Sequence, residues 1–114
     1  MELSIIEREE DITYLKLAGS LDLDGVFEIQ TKFHAYAGGQ GRPTIVDLSQ
    51  VDYAASLGFR MFISSARNLN KAGAKMILLN PQPDVEEAMR RIGIENVSPI
   101  VHGEQEALEA VGVA

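Results

Sequence analysis

Apolar positions along this chain change their spacing several times, and each change marks an element. Ile12, Tyr14, Leu15 and Leu17, with Thr13 and Lys16 among them, give a mostly alternating strand. Leu3, Ile5 and Ile6 suggest a partner strand joined to it through the polar turn Glu9-Glu10-Asp11, so the chain opens with a predicted hairpin. After Gly19-Ser20-Leu21-Asp22 the spacing becomes helical through Val26, Ile29, Phe33 and Tyr36 or Ala37, and it stops at Gly38-Gly39-Gln40-Gly41 with Pro43 beyond. Thr44-Ile45-Val46-Asp47-Leu48 is a short β-branched run between turn residues, the pattern of a buried strand. The segment Val51-Asp52-Tyr53-Ala54-Ala55-Ser56 then runs, extended, through small residues into a second helix. That helix carries Phe59, Phe62, Ile63, Ala66 and Leu69 on one face and Arg60, Arg67, Asn68 and Lys71 on the other, and Ala72-Gly73 closes it. Residues 75–79 read as another buried strand, stopped by Asn80-Pro81-Gln82-Pro83, after which Val85, Ala88, Met89 and Ile92 resume helical spacing up to Gly93. A weak strand around Ile100-Val101 and a short helix with Ala107, Leu108 and Val111 inward complete the series.

The predicted order is ββαβαβαβα. Strands alternating with helices imply an α/β fold, here a mixed sheet of about five strands covered by about four helices on at least one face. With 114 residues and no repeat, low-complexity tract or linker, the expectation is a single domain spanning 1–114.

Composition narrows the function classes. There is no cysteine, so neither a disulfide framework nor a thiolate metal site is expected. The acidic, alternating start Met1-Glu2-Leu3-Ser4-Ile5-Ile6 lacks the basic-then-apolar pattern of a signal peptide, and a cytoplasmic location follows as the expectation. The longest aliphatic run, Met76-Ile77-Leu78-Leu79, is far below the roughly 20 residues that span a bilayer. A net charge of −7 repels phosphate backbones, which argues against nucleic acid as a partner.

Candidate chemistry centres on Ser56. Its predicted place at a helix N-terminus, where backbone N–H groups and the helix dipole favour an incoming oxygen or phosphate, suits a phosphoacceptor or nucleophile. The same place suits a capping serine that satisfies an orphan N–H, and the two roles can coexist. Ala54-Ala55-Ser56-Leu57-Gly58 also has the form of the small-x-Ser-x-Gly elbow of serine hydrolases, without its first glycine. Activation there needs a histidine with a carboxylate partner, and neither His34 nor His102 carries a catalytic signature. Asp22 and Asp24 flank Leu23 just before the first helix; capping explains them more simply than a divalent ion does. Gly38-Gly39-Gln40-Gly41-Arg42-Pro43-Thr44 lacks the Lys-Ser/Thr end of a P-loop and reads as a loop. Asn96-Val97-Ser98 matches the glycosylation tripeptide but is followed by Pro99, and without secretion the match is chance. No cofactor or metal site is expected.

The whole ordering, with Gly19-Ser20-Leu21-Asp22 ahead of the first helix and a serine and glycine opening the second, resembles the STAS domain family, specifically the stand-alone bacterial anti-sigma factor antagonists. The likeness is sharpest from Asp47-Leu48 through Arg60, where the family reads a strand and then Asp-Ser-Ser/Thr/Ala-Gly-Leu-Gly/Arg. Ser56 falls on the family's phosphorylatable serine and Gly58 on its glycine, while Phe59-Arg60 continue the helix. Ala55 replaces the family's aspartate and Leu57 its usual small residue. The resemblance implies a non-enzymatic partner switch whose binding surface includes Asp22, Ala55, Ser56, Leu57, Gly58 and Arg60. The partner would be an anti-sigma factor that is also a serine kinase, phosphorylation of Ser56 would end the complex, and a serine phosphatase would reset it. The alternatives are a phosphorylation-independent STAS scaffold, a small serine hydrolase, and a small-ligand binder at the carboxyl ends of the strands. The chain is expected to be a monomer or a weak dimer, with Phe27, Phe33 and Tyr36 as dimer contacts if uncovered.

Overall fold

The computed structural model describes residues 1–113. Its elements follow the expected order: β1 (Glu2–Ile5), β2 (Thr13–Leu21), α1 (Leu23–Ala37), β3 (Thr44–Ala54), α2 (Ser56–Lys71), β4 (Met76–Leu79), α3 (Pro83–Arg91), a 3-10 turn (Ile94–Asn96), β5 (Ile100–Val101) and α4 (Glu104–Ala110). The five strands lie in chain order across one sheet. β1 runs antiparallel to β2, with Leu3 opposite Leu17, and the remaining neighbours are parallel.

Side-chain alternation divides the core between the two faces of the sheet. On β4, Met76 and Leu78 join Leu15, Leu17, Val46 and Leu48 on the face covered by α1, α2 and α3. Ile77 and Leu79 join Tyr14, Ile45 and Val101 on the opposite face, where Ala107 and half-buried Leu108 of α4 cover them. The central strands are therefore apolar at consecutive positions, as strands buried on both faces must be. Phe33 of α1 and Phe62 of α2 are both fully buried, and their ring centroids lie 5.6 Å apart in a tilted pair that ties the two helices together.

Two strands run longer than their apolar patterns predict. β2 continues through Gly19 and Ser20, and β3 continues from Leu48 to Ala54, because each supplies the other's backbone partners: Ser20 pairs with Tyr53 and Leu21 with Ala54. Shifts in register after Lys16 and Gly19 interrupt the alternation, so an extension of this kind does not show as a period of two. At the other boundaries the differences are smaller. β4 starts at Met76 with Lys75 exposed, and Ile92, expected on the inner face of α3, is 52% exposed at the end of that helix. Ser98, in the apparent glycosylation tripeptide, is fully buried and its hydroxyl donates to the Met76 carbonyl at 2.7 Å. No helix among the described residues is long and apolar enough to cross a membrane.

Tyr14 links α4 to the sheet, donating its hydroxyl to the Glu104 carboxylate at 3.2 Å. Burial, followed by the charge of Glu104, pushes the Tyr14 phenol up to about 12 from an ordinary value of 10.0. The folded-state value lies above the unfolded one, so this contribution to stability is complete below the unfolded value and is lost as pH rises from about 10 to about 12. Tyr14→Phe is expected to flatten the fall in stability across that window, read as urea midpoints below and within it; an unchanged alkaline slope would refute the assignment.

Candidate functional site

The register of β2 with β3 decides which candidate residues meet. Leu21 and Ala54 are paired, and the Ala55 N–H donates to the Leu21 carbonyl at 3.2 Å, so α1 and α2 begin side by side at the carboxyl edge of the sheet. Asp22 caps α1, accepting the Gly25 N–H at 2.8 Å. Just before it, the Ser20 hydroxyl donates to Asp52 at 2.8 Å and fastens the end of β2 to β3. One close approach requires glycine and a second favours it. A Cβ on Gly25 would collide with the Ser20 carbonyl oxygen, and one on Gly58 would sit 3.2 Å from the Leu21 Cβ, so the starts of both helices rest directly on the end of β2.

Ser56 is the first residue of α2 and not its cap. The capping position belongs to Ala55, whose backbone is extended and whose side chain offers no acceptor. Ala55 does supply its carbonyl to the N–H groups of Gly58 and Phe59, at 2.9 and 3.2 Å. The capping role considered for Ser56 is thus replaced by an exposed hydroxyl that makes no hydrogen bond among the described residues. Among the same residues the Ser56 and Leu57 N–H groups are also unpartnered, leaving an open, electropositive first turn beside a free hydroxyl.

The hydrolase pairing is not formed. His34 shares a hydrogen bond with the buried Ser65 hydroxyl at 2.9 Å, between α1 and α2. His102 meets Glu86 at 2.7 Å, and that contact, with Arg90 next, holds the Glu86 carboxyl below its usual range. Asp22 directs one oxygen to its helix cap, and Asp24 is exposed in the first turn of α1.

The structure brings Asp22, Ala55, Ser56, Leu57 and Gly58 to one edge, with Arg60 one turn along α2. Leu57 and Arg60 line a groove between the helices with Val26, Gln30 and His34. Of the exposed apolar residues near this edge, sequence reasoning named Phe27 and missed Leu23 and Tyr53. Leu23, Phe27 and Tyr53 are 59%, 60% and 54% exposed; Leu23 and Phe27 lie one turn apart on α1, on the side that bears Gln30 and His34, whereas Tyr53 lines a separate hollow with Asp84, Val85 and Ala88 of α3. The available signal was apolar residues beside the paired carboxylates Asp22 and Asp24 and beside Asp52. Of the aromatics considered for a dimer, only Phe27 is open; Phe33 is fully buried and Tyr36 half-buried.

The STAS domain model matches residues 4–107. The chain belongs to the STAS domain family. A protein of Bordetella bronchiseptica, provisionally named as the anti-sigma factor antagonist BtrV, is 22% identical over 98 residues, which cover 86% of this chain and 84% of that protein. A Thermotoga maritima crystal structure, provisionally described as an anti-sigma factor antagonist, superposes with a TM-score of 0.86 at 16% identity, covering 96% of this chain and 93% of that one. The anti-sigma factor antagonist SpoIIAA in its unphosphorylated form gives a TM-score of 0.78 at 22% identity, covering 96% of each chain. These likenesses establish the fold.

Asp22→Ala is expected to lower stability by about 1 kcal/mol through loss of the α1 cap. Gly25→Ala is expected to cost more, about 1–3 kcal/mol, because the Ser20 carbonyl must move. Urea unfolding at constant m-value measures both, and the reverse ranking would contradict the close packing of α1 on β2.

Proposed function

We propose that this chain is an anti-sigma factor antagonist that binds an anti-sigma factor with serine kinase activity, and that phosphorylation of Ser56 ends the complex. The observation that carries the proposal is the exposed Ser56 hydroxyl, without a hydrogen-bond partner among the described residues, at the first position of α2, with exposed Leu23 at the adjacent start of α1. The names of BtrV and SpoIIAA, the second also known in a phosphorylated form, support the same class. On this reading Asp22, Ala55, Leu57, Gly58 and Arg60 belong to the docking surface, the domain is a kinase substrate and not an enzyme, and a serine phosphatase regenerates the binding form.

The chemistry suits a switch that leaves the fold intact. The Ser56 oxygen attacks the γ-phosphorus of ATP, its bond to phosphorus forms as the bond to ADP breaks, and the serine proton passes to a base of the kinase. The product carries about −1.5 to −2 charge and three strong acceptor oxygens. The open N–H groups of Ser56 and Leu57 and the helix dipole favour that charge within the domain. A partner pressed against the apolar edge would have to bury it without compensation, which is strongly unfavourable. Ala55, lacking a carboxylate, adds no opposing charge at the cap.

Incubation with the anti-sigma factor kinase and ATP is expected to place one phosphate on Ser56, mapped by mass spectrometry. A phosphate elsewhere, or none from an active kinase, would overturn the phosphorylation. Ser56→Asp is expected to weaken partner binding at least several-fold by calorimetry while melting within a few degrees of the parent. Unchanged binding by that variant favours a phosphorylation-independent scaffold on the same surface.

A further inference from the structure

Charge is segregated on this molecule in a way that Ser56 does not explain. The 16-residue helix α2 contains Arg60, Arg67 and Lys71 and no aspartate or glutamate, so it carries +3 while the rest of a chain of net charge −7 carries −10. Every arginine outside α2, namely Arg8, Arg42, Arg90 and Arg91, contacts a carboxylate, while the scattered Lys16, Lys32 and Lys75 have no ion pair among the described residues. Arg60, Arg67 and Lys71 have no ion-pair partner among the described residues, and all three are exposed. The arrangement does not serve the helix itself. Lys71 suits the C-terminal end, but Arg60, one turn in from the N-terminal end, gains nothing from the dipole, and the first turn has no acidic residue.

The three cations form a line. Arg60, Ser64, Arg67, Asn68 and Lys71 fall on one side of α2 and frame a shallow hollow around half-buried Ile63. At 1.5 Å per residue the stripe is about 16 Å long, the length of three turns of a second helix. We infer that this stripe docks an acidic amphipathic helix of a partner protein, with carboxylates spaced to meet Arg60, Arg67 and Lys71 and an aliphatic side chain set against Ile63. A protein helix fits better than nucleic acid or an anionic membrane. Three cations neutralise few phosphates, and the surrounding −10 opposes an extended polyanion, whereas a short acidic helix touches the stripe alone. The site acts in the unmodified protein and does not depend on phosphorylation of Ser56.

The probe is a synthetic helical peptide of about 20 residues with glutamates at i, i+4, i+7 and i+11 and leucine between them, compared with a scrambled peptide of the same composition. Amide NMR is expected to confine the shifts to the outer face of residues 60–71. Raising salt from about 50 to about 200 mM should weaken binding at least fivefold, as screening of exposed charges requires. The double variant Arg67→Glu with Lys71→Glu should weaken it about tenfold or more, and Arg67→Gln with Lys71→Gln guards against misfolding from charge reversal. The control Lys16→Glu with Lys32→Glu, off the stripe, should stay within about twofold. Shifts away from α2, equal binding of the scrambled peptide, or equal loss in the control would overturn the inference. So would tighter binding of an RNA oligonucleotide or of phosphatidylglycerol vesicles through the same residues, or sedimentation showing that the stripe is covered by a second copy of the chain. Because the peptide is tested on unmodified protein, failure here leaves the Ser56 reading standing, and failure of Ser56 phosphorylation leaves this one standing.

Discussion

The parallel pairing of β2 with β3, continued to Leu21 and Ala54, is the constraint on which the rest of the site depends. It brings the first residues beyond each strand to the same edge, and both segments turn there into helices. The glycines then set how closely those helices settle: Gly25 beneath the Ser20 carbonyl and Gly58 against Leu21. The Phe33–Phe62 pair holds the helices together farther into the core. A shift of one residue in this pairing would send Leu21 to the other face of the sheet and part Asp22 from Ala55. Placement of Ser56 is therefore a property of the sheet, transmitted through two helix starts.

That edge is left open in several ways at once. Asp22 closes the first turn of α1, but Ala55 gives α2 no side-chain acceptor, forgoing about 1 kcal/mol that a capping serine or aspartate would contribute. The Ser56 hydroxyl does not compensate, and Leu23, Phe27 and Tyr53 stay largely in water although the core beneath is closed. Such concessions clustered at one place are where folding and binding part company. The core needs none of these side chains exposed, whereas an interface needs all of them accessible.

Most of the fold was legible because its elements follow strong periodicities. The three helices packed on one face and the buried strand at Met76–Leu79 show as apolar runs and stripes in the sequence. The end of β2 was hidden, since Gly19-Ser20 obey backbone pairing more than side-chain burial, whereas Val51-Asp52-Tyr53-Ala54 read as extended and only their continuity with Thr44–Leu48 went unseen. Ser56 was legible as the residue at the strand-to-helix turn. Whether it capped the helix or opened it turned on one residue, which only backbone dihedrals decide: Ala55 is extended and Ser56 helical. The exposure of Leu23 and Tyr53 was illegible for a related reason, because an apolar residue at an element's end reads as core until its neighbours are placed.

The apolar edge and the basic stripe of α2 meet at Arg60, which lines both the groove toward α1 and the outer hollow. A partner touching only the apolar edge could rotate about it, since apolar contact is non-directional. Charges strung along about 16 Å of helix remove that freedom, because only one orientation sets carboxylates against all three cations. On the proposed reading, a phosphate on Ser56 would sit four residues before Arg60, within reach of its side chain along the helix. It would therefore add charge at the apolar edge and meet Arg60 there, while Arg67 and Lys71 keep the rest of the stripe. The modification would then act at the edge and its shared residue, with no rearrangement of the sheet beneath and without removing the rest of the stripe.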